Sequence, residues 1–252
     1  AQATNDKFGA KATTYDEQLI VKHDGAELSF VGTKHVDDIK VGCAPEVRER
    51  FVRDLEAVFG KGELDITPDN FTNCGVRHTR VDDGYEMDQI EYISALKPIA
   101  TAELVGESGE EKASPAMVKL YLSLLMALAF ALLTRVDLGV YVVALQRHAQ
   151  DPCMKHVRRL NTLVRWAQKH PLKLVYRRMT CARTLEIHSD SGFKKEEKAG
   201  ESQGRAMRGA NFMRLGTRVL TSGSARKTEC DLIGWQSSSL KTVTMRTFTS
   251  ET

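Results

Sequence analysis

Two adjacent carboxylates, Asp37 and Asp38, stand between the short apolar runs Ser29-Phe30-Val31-Gly32 and Ile39-Lys40-Val41-Gly42. That pattern predicts a β-hairpin with acids at its tip. Paired carboxylates repel, and each resists ionising until a cation neutralises the pair, so such a tip can seat Mg²⁺. The same residues also read as an ordinary polar turn, in which Asp bonds its own backbone. Far along the chain, Asp190 ends the alternating run Leu185-Glu186-Ile187-His188-Ser189-Asp190, and Glu251 lies in Thr249-Ser250-Glu251, which looks like a helix start capped by Thr249 or Ser250. A third feature is cationic. Between Pro152 and Leu185 fall Lys155, Arg158, Arg159, Arg165, Lys169, Lys173, Arg177, Arg178 and Arg183, with no Asp or Glu. Such a density of positive charge can hold phosphates by counterion release, with Trp166 and Tyr176 as possible stacking surfaces. It also reads as a solvated basic helix face.

These residues need elements to hold them. Asp24-Gly25, between Gln18-Leu19-Ile20-Val21 and Leu28-Ser29-Phe30-Val31, predicts a hairpin that places the Asp37-Asp38 tip within an antiparallel sheet. Val47, Phe51, Leu55, Val58 and Phe59 recur at helical spacing from Pro45 to Phe59, with Pro45 suited to the first turn and Gly60 to the stop. Cys74-Gly75-Val76-Arg77-His78, Asp83-Gly84 and Tyr85-Glu86-Met87 predict another hairpin, and a short helix follows from Gln89 to Leu96 before Pro98. Residues 101–116 have no periodicity and read as a mobile linker. The apolar run Leu120 to Leu133 is shorter than the roughly 20 residues of a membrane span, which predicts a buried core helix and no membrane association. Helices are expected over Asp137–Gln146 and Cys153–Lys169. Strands are expected at Leu185–Asp190, Arg205–Leu215 and Leu232–Ser237, with a charged loop from Glu196 to Gly204.

At 252 residues with 42% hydrophobic content, the chain can fill real cores, and its net charge of +3 leaves attraction to nucleic acid to local charge arrangement. The five cysteines Cys43, Cys74, Cys153, Cys181 and Cys230 never stand in a Cys-x-x-Cys spacing. That predicts free thiols in a reducing compartment and speaks against a zinc site. The start has no methionine, basic head or apolar signal core, so the chain is expected to be a piece of a longer protein.

From about Leu28 to Glu251 the order of these motifs resembles the polyprotein of copia-type retrotransposons, across the C-terminal part of the reverse transcriptase and the start of its ribonuclease H domain. His35-Val36-Asp37-Asp38 is similar to the family's Tyr-x-Asp-Asp polymerase motif, with His35 where Tyr is usual. Asn73-Cys74-Gly75-Val76-Arg77, followed by Met87-Asp88-Gln89-Ile90-Glu91-Tyr92-Ile93, resembles the primer-gripping hairpin and helix. Tyr121 to Leu128, then Thr134-Arg135-Val136-Asp137, Pro152 and His156, resemble the signature between polymerase and nuclease, with Val136 in place of Pro. Asp190 and Glu251 resemble the first two acids of the ribonuclease H site.

The resemblance implies an α+β chain made of a partial polymerase palm (antiparallel hairpins plus a helix; 1–100), a linker (101–116), a helical thumb or connecting section (117–184) and an incomplete ribonuclease H-like mixed sheet (185–252). It implies Mg²⁺ or Mn²⁺ at Asp37, Asp38, Asp190 and Glu251, an RNA template, a DNA primer and an RNA/DNA hybrid as partners, and the remaining parts of the polyprotein. The expected location is intracellular, in the cytoplasm or a virus-like particle. A third polymerase Asp is expected upstream and two more nuclease acids downstream, so this chain alone is expected to have little activity. A non-catalytic nucleic-acid-binding remnant using residues 152–185, and a degenerate element without a selected role, are the alternatives. Incomplete sheets leave open edges, which predicts poor solubility of the isolated chain.

Overall fold

A computed structural model describes residues 8–35, 38–100, 108–179, 181–198, 201–219 and 226–239. The chain forms two compact units, Ala1–Thr67 and Pro68–Thr252. Both combine helix with antiparallel sheet, which gives the α+β class.

In the first unit, β1 (Lys11–Ala12), β2 (Leu19–Asp24), β3 (Glu27–His35) and β4 (Asp38–Cys43) pair in that order, followed by α1 (Pro45–Phe59). Alternation turns Ile20 and Phe30 inward, and the i, i+4 spacing of Phe51 and Leu55 gives α1 a matching apolar face. Phe8, Phe30 and Phe51 form an aromatic triangle with centroids 4.8–5.0 Å apart. Gly32 permits this packing, since a Cβ there would stand 3.0 Å from Ile20 and Phe30 side-chain atoms. The β2–β3 connection is Gly25-Ala26, one residue later than Asp24-Gly25, because the register shifts between Lys22 and His23 and carries Asp24 into a pair with Glu27.

In the second unit, β5 (Asn70–Asn73), β6 (Val76–Val81), β7 (Gly84–Asp88) and β8 (Leu174–Arg177) form a sheet in that order. Val81 pairs with Gly84, so the turn is Asp82-Asp83 and not Asp83-Gly84. Between β7 and β8 lie α2 (Ile90–Ala95), α3 (Pro115–Phe130), α4 (Gly139–Gln146) and α5 (Met154–Lys169). The helix expected from Leu120 starts earlier, because Ser114 accepts the Met117 N–H and Pro115 fits the first turn. Of the expected linker, residues 101–107 lie outside the described set. The remainder is tied down: Ala113 N–H bonds Pro152 O at 2.9 Å and Lys112 bridges to Cys153. Tyr121, Leu125 and Leu128 of α3 are fully buried against Val142 of α4 and Val157, Leu160 and Val164 of α5. Residues Pro115–Leu133 (19 residues, mean hydropathy 2.1) also meet the length and composition of a membrane-spanning helix.

The described part of the unit continues into the meander β9 (Cys181–Lys198), β10 (Glu201–Val219) and β11 (Arg226–Ser239), with β10 central. The expected loop Glu196–Gly204 is instead mostly ladder, with Glu196 opposite Gln203 and Glu197 opposite Ser202, since strand pairing is a property of the backbone that charged residues do not prevent. Every strand pair among the described residues is antiparallel, so the expected mixed sheet has no parallel pair there.

Candidate nucleic-acid interface and the dispersed acids

Pairing of His35 with Asp38 puts a two-residue connection at Val36-Asp37 and makes Asp38 the first residue of β4. Asp38 is exposed; Asp37 lies outside the described residues. Asp190 is exposed on β9 opposite Gly209 of β10, and Glu251 lies outside the described residues. Asp38 and Asp190 belong to different units. Among the described residues no group of three His, Cys, Asp or Glu side chains is placed to hold a metal ion. A single carboxylate does not make a Mg²⁺ or Mn²⁺ site, because a small hard cation needs several oxygens in octahedral array. The described residues therefore do not by themselves fit the metal.

The Cys74-Gly75-Val76-Arg77 segment is the β5–β6 turn and the start of β6. Cys74 (φ 48°) and Gly75 (φ 72°) both take left-handed backbone, as a tight two-residue hairpin requires. A Cβ on Gly75 would meet the Phe130 ring at 2.8 Å, so this turn sits directly on the end of α3. Val76 is buried, and Cys74 is exposed. Arg77 is bound within the fold: its guanidinium donates to both Asp88 oxygens at 3.1 Å and to Glu91 at 2.6 Å. Asp88, 1% exposed, also accepts the Ile90 N–H at 3.0 Å and so starts α2.

The cations of residues 152–185 divide by environment. Lys155 is held at 2.6 Å by Glu110, whose carboxyl that bond keeps below its ordinary range, and Lys173 is held at 2.8 Å by Glu86. Arg158 and Arg177 are half-buried, and the Arg178 N–H donates to Asp83 O just past β8. Because α5 buries Val157, Leu160, Val164 and Ala167, its opposite face carries Arg159, Thr162, Arg165 and Lys169 into solvent. Arg159, Arg165 and Lys169 make no ion pair among the described residues. The two aromatic rings are engaged within the fold. Trp166 stacks with His170 at 4.7 Å and lies under the Arg135 guanidinium at 5.6 Å. The Tyr176 hydroxyl donates to Leu232 O at 2.8 Å, and burial raises its pKa. What α5 offers a partner is therefore positive charge on one face, without an uncommitted stacking ring.

Sequence reading missed the buried polar groups that position this face. Arg135, 1% exposed, grips both Asp137 oxygens at 2.9 and 2.8 Å and donates to Ala167 O of α5 at 3.1 Å. Asn161 exchanges two bonds with the Ile99 backbone, at 2.8 and 2.9 Å. Gln168 donates to Ile93 O and Leu96 O, Tyr92 to Ala127 O, and Tyr121 to Leu145 O. His156 accepts the Cys153 N–H through Nδ1 at 2.9 Å and stacks on His148 at 3.8 Å. Burial first, then the neighbouring His148 and Lys155, push its pKa down to about 4. The only local signal was opposite charge at matched positions around a turn, as in Arg77 and Asp88, which face each other across β6 and β7. No family model, curated protein or solved structure matches the chain.

Proposed function

We propose that the chain is part of an RNA-directed DNA polymerase with ribonuclease H from a copia-type retrotransposon, working on an RNA template, a DNA primer and their hybrid inside the cell. The observation that supports this reading is the antiparallel pairing of His35 with Asp38, which sets Asp38 at the start of β4 beside a two-residue connection. Support also comes from Cys74-Gly75, a tight turn seated on the helical core, and from Asp190 within a strand that follows the basic helix. Under this reading Asp37 and Asp38, and again Asp190 and Glu251, would need further carboxylates to hold Mg²⁺ or Mn²⁺, which would supply Lewis acidity for phosphoryl transfer. This chain alone catalyses poorly. Primer extension and hybrid cleavage by the isolated chain are expected near background; robust Mg²⁺-dependent synthesis abolished by Asp37→Asn overturns that expectation.

A second reading, non-catalytic binding of nucleic acid, is favoured by the α5 face. Three solvent-facing cations without ion pairs among the described residues predict backbone-directed affinity whose logarithm falls with the logarithm of salt at a slope of about −3. Neutralising Arg159, Arg165 and Lys169 removes most of that slope under this reading, and Asp190→Asn leaves it unchanged. A salt-independent affinity sinks it.

A further inference from the structure

We propose that residues 108–113 are a strap over the first turn of α5, closed in neutral solution and released in mild acid by protonation of His156. The strap lies against the connection from α4 to α5 and is held there by backbone bonds. Ala113 N–H donates to Pro152 O, Met154 N–H to Glu111 O and Lys155 N–H to Gly109 O, each at 2.9 Å, and Lys112 bridges to Cys153. Two ion pairs reinforce them, Lys155 with Glu110 at 2.6 Å and Lys112 with Asp151 at 3.0 Å. The strap thereby caps α5, because Met154 and Lys155 stand in its first turn, where N–H groups have no acceptor within the helix.

His156 is the latch. Its Nδ1 accepts the Cys153 N–H at 2.9 Å while the Cys153 side chain accepts the His156 N–H, a capping box that exists only with Nδ1 unprotonated. The ring is 4% exposed and stacks on His148 of the α4–α5 connection at 3.8 Å. A proton on it meets burial first, then the His148 imidazole, then Lys155 and Arg159 of α5; Glu110 of the strap pulls the other way. Together they hold the pKa down at about 4, against an ordinary value near 6.5. Protonation turns the Nδ1 acceptor into a donor facing a donor, and the Cys153 N–H loses its partner. Cys153 and Pro152 are the residues with which the strap pairs, so the two let go together. Because the closed form depresses the pKa, it is favoured fully above about 6.5, and each pH unit below that multiplies the open fraction by about ten until about 4. Opening parts Glu110 from Lys155 and lifts away Gly109, where a Cβ would stand 3.6 Å from the Arg158 guanidinium. Acid therefore uncovers the cationic end of α5, whether or not that helix binds nucleic acid.

Hydrogen exchange of the full chain, followed by NMR and corrected for the intrinsic pH dependence of amide exchange, reads the strap directly. The opening constants of Ala113, Met154 and Lys155 are expected to rise about thirtyfold from about pH 7.5 to about pH 5 and to be insensitive to about 1 M urea. Leu125, fully buried in α3, is expected to exchange through a rarer opening that grows with urea. His156→Gln keeps the capping box, since Gln is a natural acceptor at that position, and is expected to hold the three amides closed at both pH values. The slope of the parent chain, about tenfold per pH unit below about 6, tests the latch without the variant. Strap amides that ignore pH, that open only together with Leu125, or that show the same rise in His156→Gln each overturn the proposal.

Discussion

The helices between residues 90 and 169 and the meander between 181 and 239 spend their polar residues differently. In the helical part, long side chains reach across the sequence to backbone groups: Asn161 to Ile99, Gln168 to Leu96, Tyr121 to Leu145, Arg135 to Ala167. In the meander, Asp231, joined to Arg214, is the buried side chain among the described residues, while Leu185, Ile187 and Ile233 are at least half exposed. One region is specified by side chains that each fit one place. The other, among its described residues, is held mainly by a backbone ladder, which fixes pairing while asking little of individual side chains.

Removing the most committed side chain breaks this contrast hardest. Arg135→Ala strips a buried guanidinium from Asp137 and is expected to cost about 3–5 kcal/mol in urea unfolding followed by circular dichroism. Leu125→Ala, at a fully buried position of α3, is expected to cost about 3 kcal/mol in the same measurement. Acid probes the contrast without mutation. The His156 pKa is depressed in the folded state, so its stabilisation is complete above the unfolded histidine value and is lost as pH falls from about 6.5 toward 4. Melts across that window are expected to lose up to about 3 kcal/mol, and His156→Gln is expected to flatten the loss. Asn161→Ala leaves the Ile99 N–H and C=O without their partner and is expected to cost about 2 kcal/mol. Ile187→Ser in the meander is expected to change unfolding by under about 0.5 kcal/mol. A loss at Ile187 as large as that at Leu125 removes the distinction between the regions.

The parts legible in sequence were those with local signals. Helix α1 follows from its apolar spacing, its proline and its terminating glycine, and the pairing of β3 with β4 follows from the apolar runs on either side of their connection. Turn positions slipped where a bulge moved the register at Lys22-His23, since a bulge answers to cross-strand packing and not to turn propensity. The start of α3 is hidden because Ser114 and Pro115 close a stretch rich in Gly and Glu that reads as a linker, although they are themselves a cap and first-turn signal. The side-chain clamps were not legible at all, because Asn161 and Ile99 or Gln168 and Leu96 meet only after the chain between them has folded. The same holds for Trp166, which reads as a stacking surface until Arg135 and His170 are found against it.

Strand β8 carries one more consequence. It completes the sheet begun by β5, β6 and β7, with Leu174 beside Met87 and Arg177 beside Gly84, yet it arrives in the chain after the four helices α2 to α5. Closing so long a loop costs entropy that local contacts do not return, so the sheet finishes late. On a ribosome, β7 stays an open edge until residue 177 has emerged, and the helices must assemble around a hairpin still waiting for its last strand.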